Sequence, residues 1–465
     1  MGSLFSSLHT ASTALEAISQ ALGVVQNDIA NAATPGYAAQ KALILPIGAS
    51  ATGASGDFVE VSSSGNAFAD ASVRAAQSQA SASQTLAVQL GPVNQLLDIT
   101  GASGILAAFQ KFSTAFSNLS VTPNDPTVGA EAVTAAGGVA AAFKSVAAAL
   151  DSQNNLLNSS IQNATATINK LSAAISRLNV QTVASPQENP TTDASLRADL
   201  EQLSSLVDIT VTTAPDGSVS VLAGGQLPLV IGAQAYTLSV DPTAAPGSQV
   251  SSTGGGTSPV SFDGQLGGFL QTRNATITPL LGGNGQTGSL NTLAAGFAAL
   301  VNGLLSSGTT AAGAPGVPIF TYDLVDPTDA ARSLAIDPAV TPAQLGLGLA
   351  GPPPQSNAIA NQLAALAGSS APANQIGGLS AEGLFAAIAQ NIGQQVSDAT
   401  TNSTTDQNAL TSAQTTRQQL SGVSLDQEAV NVTDYQRSYQ ANAQVVSILN
   451  QLTQDVVNMT NPTGG

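Results

Sequence analysis

The feature that most constrains the fold is an apolar repeat near the start of the chain. Apolar residues recur there in alternating steps of four and three, without a break. They are Leu4, Leu8, Ala11, Leu15, Ile18, Leu22, Val25 and Ile29. This a/d heptad predicts one amphipathic helix with a narrow apolar seam. Such a helix is about 40 Å long and only marginally stable alone, so it needs a partner.

The repeat runs into a sequence that favours a turn. The segment is Asn31-Ala32-Ala33-Thr34-Pro35-Gly36-Tyr37. Thr34 precedes a proline, which disfavours helical backbone at Thr34, and Pro35-Gly36 is typical of a turn. The opening helix is therefore expected to stop in this segment, and the chain is expected to change direction there.

A second amphipathic segment, residues 424–459, closes the chain. Its apolar stripe is Val432, Tyr435, Tyr439, Ala443, Val446, Leu449, Leu452 and Val456. Ser424 and Gln427 have the spacing of a capping box, and Asp426 and Glu428 lie where the helix dipole favours acids. The simplest arrangement packs the opening and closing helices antiparallel. Tyr435 and Tyr439 suit either a core or an interface between subunits.

The two helices alone are expected to form a marginal pair. Burying each Leu, Ile or Val contributes roughly 1.5–3 kcal/mol, whereas ordering the backbone costs about 1–2 kcal/mol per residue. We therefore hypothesise that both terminal helices are poorly ordered in the free subunit and fold when neighbouring subunits cover them. The alternative is that residues 4–29 form an ordinary core helix of a globular protein.

Between its two ends the chain is predicted to be mainly α-helical with inserted β structure, an α+β fold. The predicted helices are 70–97, with a break near Gly91-Pro92, then 105–119, 128–180, 194–206, 290–305, 356–367 and 379–420. Short strands are predicted at 43–47, 208–212, 218–221, 229–231, 236–240, 319–322 and 333–336, with a hairpin turn at Asp216-Gly217. Residues 185–190 are expected to form a break, and 241–260 a loop or small insertion.

Composition excludes several function classes. There are 28 acidic and 11 basic residues, a net charge of −17, which disfavours nucleic acid and anionic membrane surfaces. Cysteine is absent, so disulfides and thiolate chemistry are excluded. Charged residues are only 8%, which suits a subunit packed against others. We expect no cleaved signal peptide, because the first lysine is Lys41, and no membrane insertion, because 18 consecutive apolar residues are never reached.

The sequence contains only weak signals for a catalytic, cofactor or metal site. His9 is the only histidine and is expected on a surface or interface. Residues 346–351 match GxGxxG by letter but run into Pro352-Pro353-Pro354 instead of a helix, so no dinucleotide site is predicted. Asp323, Asp326 and Asp329 suggest a weak cation site, but a solvated loop is favoured. We predict no catalytic residues, no metal and no cofactor.

Four segments resemble a known family. Residues 31–37 resemble the N-terminal signature of flagellar rod, hook and hook-associated proteins. Residues 421–429, with Asn431, Tyr435-Gln436, Tyr439-Gln440-Ala441 and Val445-Val446, resemble the C-terminal segment of the hook–filament junction (FlgK) family, which usually has an acid where Gln427 stands. Residues 264–273 resemble a Gly-x-Leu-Gly-Gly-Leu segment of that family ending in Arg, and 293–302 resemble the helix that follows, although Leu304-Leu305-Ser306 replace its usual histidine.

The resemblance implies a set of assembly residues. At the N-terminus they are Leu4, Leu8, Leu15, Ile18, Leu22, Val25, Ile29, Asn31, Thr34, Pro35, Gly36 and Tyr37. In the C-terminal assembly and chaperone-binding segment they are Val423, Leu425, Asp426, Glu428, Tyr435, Gln436, Tyr439, Val446, Leu449, Leu452 and Val456. The interior family motif supplies Gly264, Leu266, Gly267, Gly268 and Arg273.

The resemblance also implies a domain plan. Residues 1–40 and 421–465 would form an inner-tube domain from the terminal helices. Residues 41–206, 263–310 and 356–420 would form a helical bundle. Residues 207–262 would form a β-rich segment, and 311–355 a Gly/Pro-rich loop or reduced outer subdomain.

The function implied is structural. Such proteins leave the cell unfolded through the flagellar type III system and form a ring of identical subunits at the hook–filament junction. The implied partners are the hook protein, the second hook–filament junction protein and an export chaperone on the C-terminal segment. The protein is then cytoplasmic before export and extracellular afterwards. The alternatives are another axial protein (hook or rod), or a secreted adhesin or enzyme with flagellar-type ends.

Overall fold

The structure, a computed structural model, describes residues 2–47, 56–97, 99, 103–184, 189–241, 248–255, 257–258, 262–283, 285–349 and 356–460. The helices are α1 (Gly2–Asn31), α2 (Ala67–Leu96), α3 (Gly104–Val121), α4 (Pro126–Ala184), α5 (Pro190–Leu206), α6 (Gly264–Gln271), α7 (Thr278–Leu281), α8 (Ser289–Ser307), α9 (Ala330–Ser333), α10 (Ala358–Leu366), α11 (Ala381–Ser421) and α12 (Leu425–Thr460). A π-helical turn, Thr272–Ile277, joins α6 to α7. The predicted class, mainly α with inserted β, is confirmed.

The strands form four small antiparallel sheets among the described residues. Their bounds are β1 (Gln40–Ile47), β2 (Gly56–Ser63), β3 (Ile209–Thr213), β4 (Val219–Ala223), β5 (Leu227–Ile231), β6 (Gln234–Ala235), β7 (Leu238–Asp241), β8 (Gln249–Ser252), β9 (Thr257–Ser258), β10 (Phe320–Thr321) and β11 (Ala335–Ile336). The sheets are β1-β2, β3-β4-β5-β6, β7-β8-β9 and β10-β11.

The chain forms two compact units. The first, which we call the terminal unit, comprises residues 1–77, 169–236 and 407–465. The second, the central unit, comprises residues 78–168 and 237–406. Helices α2, α4 and α11 are each divided between the units. The β-rich stretch is divided as well, because β3–β6 lie in the terminal unit and β7–β9 in the central unit.

The central unit is built on an aromatic cluster. Phe109 and Phe112 of α3 each contact Phe297 of α8, with ring centroids 4.7 and 5.3 Å apart. Phe143 of α4 and Phe320 of β10 extend the cluster. Phe109, Phe112 and Phe116 follow one another at steps of three and four within the predicted helix 105–119, and all three are fully buried. The chain has few aromatic residues, but their concentration in this one cluster lets them fill the core of the central unit.

One predicted break does not occur. Helix α2 continues through Gly91-Pro92 and carries Pro92 in its interior. The neighbours Leu90 and Val93 are completely buried. Because proline in a helix interior costs about 3 kcal/mol, the burial of these two side chains is what offsets the lost hydrogen bond. The prediction of a break near Gly91 was therefore wrong.

The terminal unit ties helix to sheet through one buried amide. Oδ1 of Asn179 on α4 accepts a hydrogen bond from the backbone N of Val219 at 2.9 Å. Its Nδ2 donates to the carbonyl oxygens of Val219 and Gly232, at 2.8 and 2.7 Å. Since Asn179 is almost fully buried, these bonds satisfy the whole side chain and fix the β3–β6 sheet on α4.

Two further loop predictions need correction or lie outside the described residues. The segment 241–260 is not only a loop, because β8 pairs with β7 and β9, for example Val250 with Val240. Small side chains such as Ser251 still fit a strand when a partner strand is present. Of the break predicted at 185–190, residues 185–188 are not described, and α5 begins at Pro190 with Asn189 as its N-cap.

Two helices are long and apolar enough to cross a membrane by length and composition. They are α4 and α8. Both bury large apolar side chains, among them Phe143, Leu150 and Phe297, in the core of the central unit. This core accounts for their apolar character.

Candidate assembly site

The two terminal helices pack against each other, and their ends meet at one junction. The backbone N of Ala39, just after α1, donates to the carbonyl oxygen of Ser421, just before α12, at 3.0 Å. Oγ of Ser64 closes the same point by donating to the carbonyl oxygen of Ala39 at 2.6 Å. The end of α1 therefore lies beside the start of α12, and the packed helices run antiparallel, as predicted.

The buried face of α1 is close to the predicted seam but does not coincide with it. Of the seam positions, Ala11, Ile18 and Val25 are buried, and Leu4, Leu8, Leu15 and Leu22 are half-buried. Ile29 is exposed. The deepest positions in the second half of the helix are Ala21 and Asp28, one residue before the heptad positions. The buried face in the second half of α1 is therefore rotated toward the residues that precede the predicted seam.

Asp28 is a buried residue of this junction that the sequence pattern missed. Its side chain is 0% exposed. It accepts hydrogen bonds from the Tyr37 hydroxyl at 2.7 Å and from the backbone N of Gln40 at 2.9 and 3.1 Å. Burial raises the pKa of the Asp28 carboxyl above its usual range, although these hydrogen bonds act in the opposite direction. An acid placed one step from an apolar seam was the signal available in the sequence.

The turn after α1 is clamped onto α5. Gly36 has φ +75, a conformation that L side chains rarely adopt. A Cβ at this position would overlap the carbonyl oxygen of Ala194 in α5. Arg197 of the same helix reaches the Gly36 carbonyl oxygen at 3.5 Å and forms an ion pair with Asp70 at 3.5 Å. Thus only glycine fits where the turn meets α5.

The remaining turn residues lie at the same place. Asn31 donates through Nδ2 to the carbonyl oxygen of Asn27 at 2.9 Å, and Thr34 donates to Oδ1 of Asn31 at 3.3 Å. Together with Pro35 and Tyr37 they line a small cleft of about 230 Å³ against α5. The structure therefore brings the four predicted turn positions together.

Helix α12 presents one apolar face to α1 and leaves another open. Tyr435, Val446, Leu449 and Val456 are half-buried, as is Val423 just before the helix. Tyr439 and Leu452, predicted on the same stripe, are 44% and 47% exposed. The exposed apolar residues of α12 are Leu425, Val430, Tyr439, Val445, Ile448, Leu452 and Val457. Asp426 and Gln436 are exposed, and Glu428 is buried.

The start of α12 forms half of the predicted capping box. The backbone N of Gln427 donates to Oγ of Ser424 at 3.4 Å. The Gln427 side chain donates instead to Oδ1 of Asn431, one turn further on, at 3.3 Å. The reciprocal half of the box was therefore predicted wrongly, because an acceptor within the helix competes for the amide.

The interior motif is a close-packing element of the central unit. Leu266 is fully buried, and Gly264 has φ +80 at the start of α6. A Cβ on Gly267 would overlap the carbonyl oxygen of Phe262, and one on Gly268 would lie 2.7 Å from Cβ of Thr85 on α2. These glycines let α6 approach its neighbours closely.

Arg273 follows the glycines in the π-helical turn. It is nearly buried and donates to Oδ1 of Asn158 at 3.1 Å, to Oγ of Ser248 at 3.0 Å and to Oδ1 of Asn274 at 3.2 Å. Burial lowers the pKa of its guanidinium, and Asp241 opposes that shift. Arg273 therefore joins α4, β8 and the π-helical turn.

The other candidates have local structural roles. His9 is exposed. Asp323 and Asp326 accept hydrogen bonds from backbone groups of their own loop, and Asp329 lies 3.7 Å from Arg332. Gly346, the first glycine of the GxGxxG match, packs against the backbone of Gly308 and Gly316, whereas residues 350–354 lie outside the described residues.

Comparison with known proteins identifies the chain. The sequence model of the flagellar hook-associated protein FlgK helical domain matches residues 67–320, and that of the flagellar basal body rod FlgEFG protein C-terminal matches residues 416–459. The fold is similar to the flagellar hook junction protein FlgK from Burkholderia pseudomallei, with a TM-score of 0.64 at 15% identity, over 76% of this chain and 100% of that chain. Comparison with curated proteins finds no match.

These matches and the paired terminal helices define a flagellar axial protein. The helical-domain match spans more than half of the chain. The chain therefore belongs to the FlgK family of flagellar hook-associated proteins, and it is a structural protein of the hook–filament junction.

Proposed function

We propose that this protein forms a ring of identical subunits between the hook protein and the second hook–filament junction protein, and that its terminal helices form the inner tube of that ring. The observation that carries the proposal is the open apolar face of α12. Val445, Ile448 and Leu452 follow one another at steps of three and four, so they share one face of the helix. They are 45%, 59% and 47% exposed.

This face needs a cover that the subunit does not supply. The half-buried stripe of α12, which includes Val446 and Leu449, is already packed, whereas Ile448 lies in the open. A contiguous exposed apolar surface on a folded chain marks an interaction site. In a ring the contacts are heterologous, so the open face of α12 would pack against a different surface of the next subunit.

The rest of the proposed function follows from the family. The subunit leaves the cytoplasm unfolded through the flagellar type III system, with an export chaperone bound to its C-terminal segment, and its work is structural and not catalytic. The marginal stability expected of the terminal helices supports export in an unfolded state, because little free energy is lost when they open. The domain plan, with the inner tube at 1–40 and 421–465, belongs to the same proposal.

The rival within the flagellum is a rod or hook protein. The match of residues 416–459 to a rod-protein C-terminal model is consistent with an end segment shared among axial proteins. The hook-associated helical domain at residues 67–320 favours the junction over the rod.

The experiment introduces negative charges on the open face of α12 in the full-length protein. A variant with Val445→Asp, Ile448→Asp and Leu452→Asp is expressed in cells that lack the native copy. We expect the variant to be secreted, and the cells to carry hooks without filaments and to release filament subunits into the medium, because charges block the contact between subunits. Electron microscopy and analysis of the culture medium measure both outcomes.

A matched control separates assembly from general surface effects. Leu324 and Val325 of the central unit are 79% and 94% exposed. Changing both to Asp introduces charge on exposed apolar positions elsewhere, and we expect filaments of normal length. Normal filaments in the α12 variant would contradict the proposed role of this face.

A further inference from the structure

The β1–β2 hairpin of the terminal unit has one apolar face that is open to solvent. Residues paired across the two strands share a face, and the outer face of the hairpin consists of the pairs Lys41–Ser62, Leu43–Glu60 and Leu45–Phe58. Leu43 is 55% and Phe58 is 47% exposed. The other face, which includes Ile44 and Val59, is half-buried, and both strands pack against α1.

The outer face of the hairpin has the character that a partner of α12 requires. A contact between neighbours in a ring joins two different surfaces, one on each subunit. One of them is the open face of α12, which carries Val445, Ile448 and Leu452. The other must also be apolar and exposed, and Leu43 and Phe58 meet both requirements.

The charges beside the two apolar surfaces are complementary. On α12, Asp434 and Arg437 are exposed, and steps of three and four place them on the same helix face as Val445. On the hairpin, Lys41 and Glu60 are exposed on the outer face. Within the described part of the chain, these four charged side chains take part in no ion pair. Each surface therefore offers one base and one acid to a partner.

The order of the charges also matches. From Lys41 the outer face of the hairpin runs to the level of Glu60, about 7 Å further at about 3.3 Å per residue, and then to Phe58. From Asp434 the open face of α12 runs to Arg437, about 5 Å further at about 1.5 Å per residue, and then to its apolar residues. The order base, acid, apolar on the hairpin thus meets the order acid, base, apolar on the helix.

We propose that the outer face of the β1–β2 hairpin of one subunit covers the open face of α12 in the next subunit. In this contact Lys41 pairs with Asp434. Glu60 pairs with Arg437, and Phe58 packs on the apolar residues that follow. The contact rests on the proposed ring, and it assigns the surface that the ring places against α12. The opposite charges fix the register of the two surfaces and disfavour other pairings.

The test reverses charges in the full-length protein, expressed in cells that lack the native copy. We expect Lys41→Glu and Asp434→Lys each to lower the fraction of hooks that carry a filament at least about tenfold, because like charges then meet in every contact of the ring. The variant with both changes should recover at least about half of the normal fraction, since its pair is restored with the charges exchanged. Electron microscopy counts the filaments, and analysis of the culture medium verifies secretion.

The matched control is Lys144→Glu, which reverses an exposed base of the central unit and should leave the filaments unchanged. A second measurement uses the unmodified protein and does not depend on the export of variants. A carbodiimide joins an amine to a carboxylate in direct contact. In purified junctions it should link Lys41 of one copy to Asp434 of another, and in the free subunit it should not.

Three results would overturn the contact: normal filaments in both single variants, a double variant as defective as the single ones, or no such link in junctions. Normal filaments in Lys41→Glu, together with filament loss in the variant that carries Asp at 445, 448 and 452, would leave the ring in place and show that another surface covers α12. Normal filaments in every variant would contradict both the ring contact and this assignment.

Discussion

The hydroxyl of Tyr37 donates a 2.7 Å hydrogen bond to Oδ1 of Asp28, nine residues earlier on α1. This bond folds the turn back onto the helix that precedes it. The backbone N of Gln40 binds the same carboxylate, so the end of α1, the turn and the start of β1 share one anchor. The anchor lies next to Ser421, where α12 approaches.

Removing the Tyr37 hydroxyl should loosen the turn. A hydrogen bond to a charged group contributes about 1.5–3 kcal/mol, so Tyr37→Phe should raise the local opening constant of residues 37–40 at least tenfold. Amide exchange of Gln40 measures this effect. Tyr236→Phe is the control, and equal effects of the two variants would contradict this assignment.

Gly36 should not tolerate a side chain. Gly36→Ala combines a positive φ with overlap against Ala194, and we expect a loss of roughly 2 kcal/mol or more in the stability of the turn against α5. Gly23→Ala is the matched control, because a Cβ there meets nothing within 4 Å. In the interior of α1 it should stabilise the helix by about 0.5–1 kcal/mol. Circular dichroism and amide exchange distinguish these opposite signs.

Replacing Arg273 with lysine should destabilise the central unit. Lysine lacks the planar fork that reaches Asn158, Ser248 and Asn274 together. Arg273→Lys should therefore lower the free energy of unfolding of the central unit by about 2–4 kcal/mol. Arg177→Lys, at an exposed position on α4, should change stability by less than about 0.5 kcal/mol. Similar unfolding temperatures for both variants would show that the network around Arg273 carries no stability.

Periodicity predicted the elements that bury regular apolar faces. The helices α1, α3 and α4 were all predicted, because their apolar residues recur with the helical repeat. Alternating residues on both sides of the turn Asp216-Gly217 predicted the hairpin between β3 and β4. The turn at Gly36 was predicted from Pro35-Gly36, and the family resemblance then assigned both ends of the chain to assembly.

The rest depended on tertiary contacts that periodicity does not record. Asp28 is buried because the turn returns to it, and Asn179 because a sheet folds over α4. Pro92 remains helical because Leu90 and Val93 are buried. In each case a distant partner compensates for a residue that local preference would place elsewhere.

The central claim is that α12 is completed by neighbouring subunits. Its most direct test compares amide exchange of residues 445–452 in the free subunit and in purified hook–filament junctions at the same pH. The account predicts fast exchange in the free subunit and exchange slowed by at least about 100-fold after assembly, equivalent to about 2.7 kcal/mol. Equal protection in both states would contradict it.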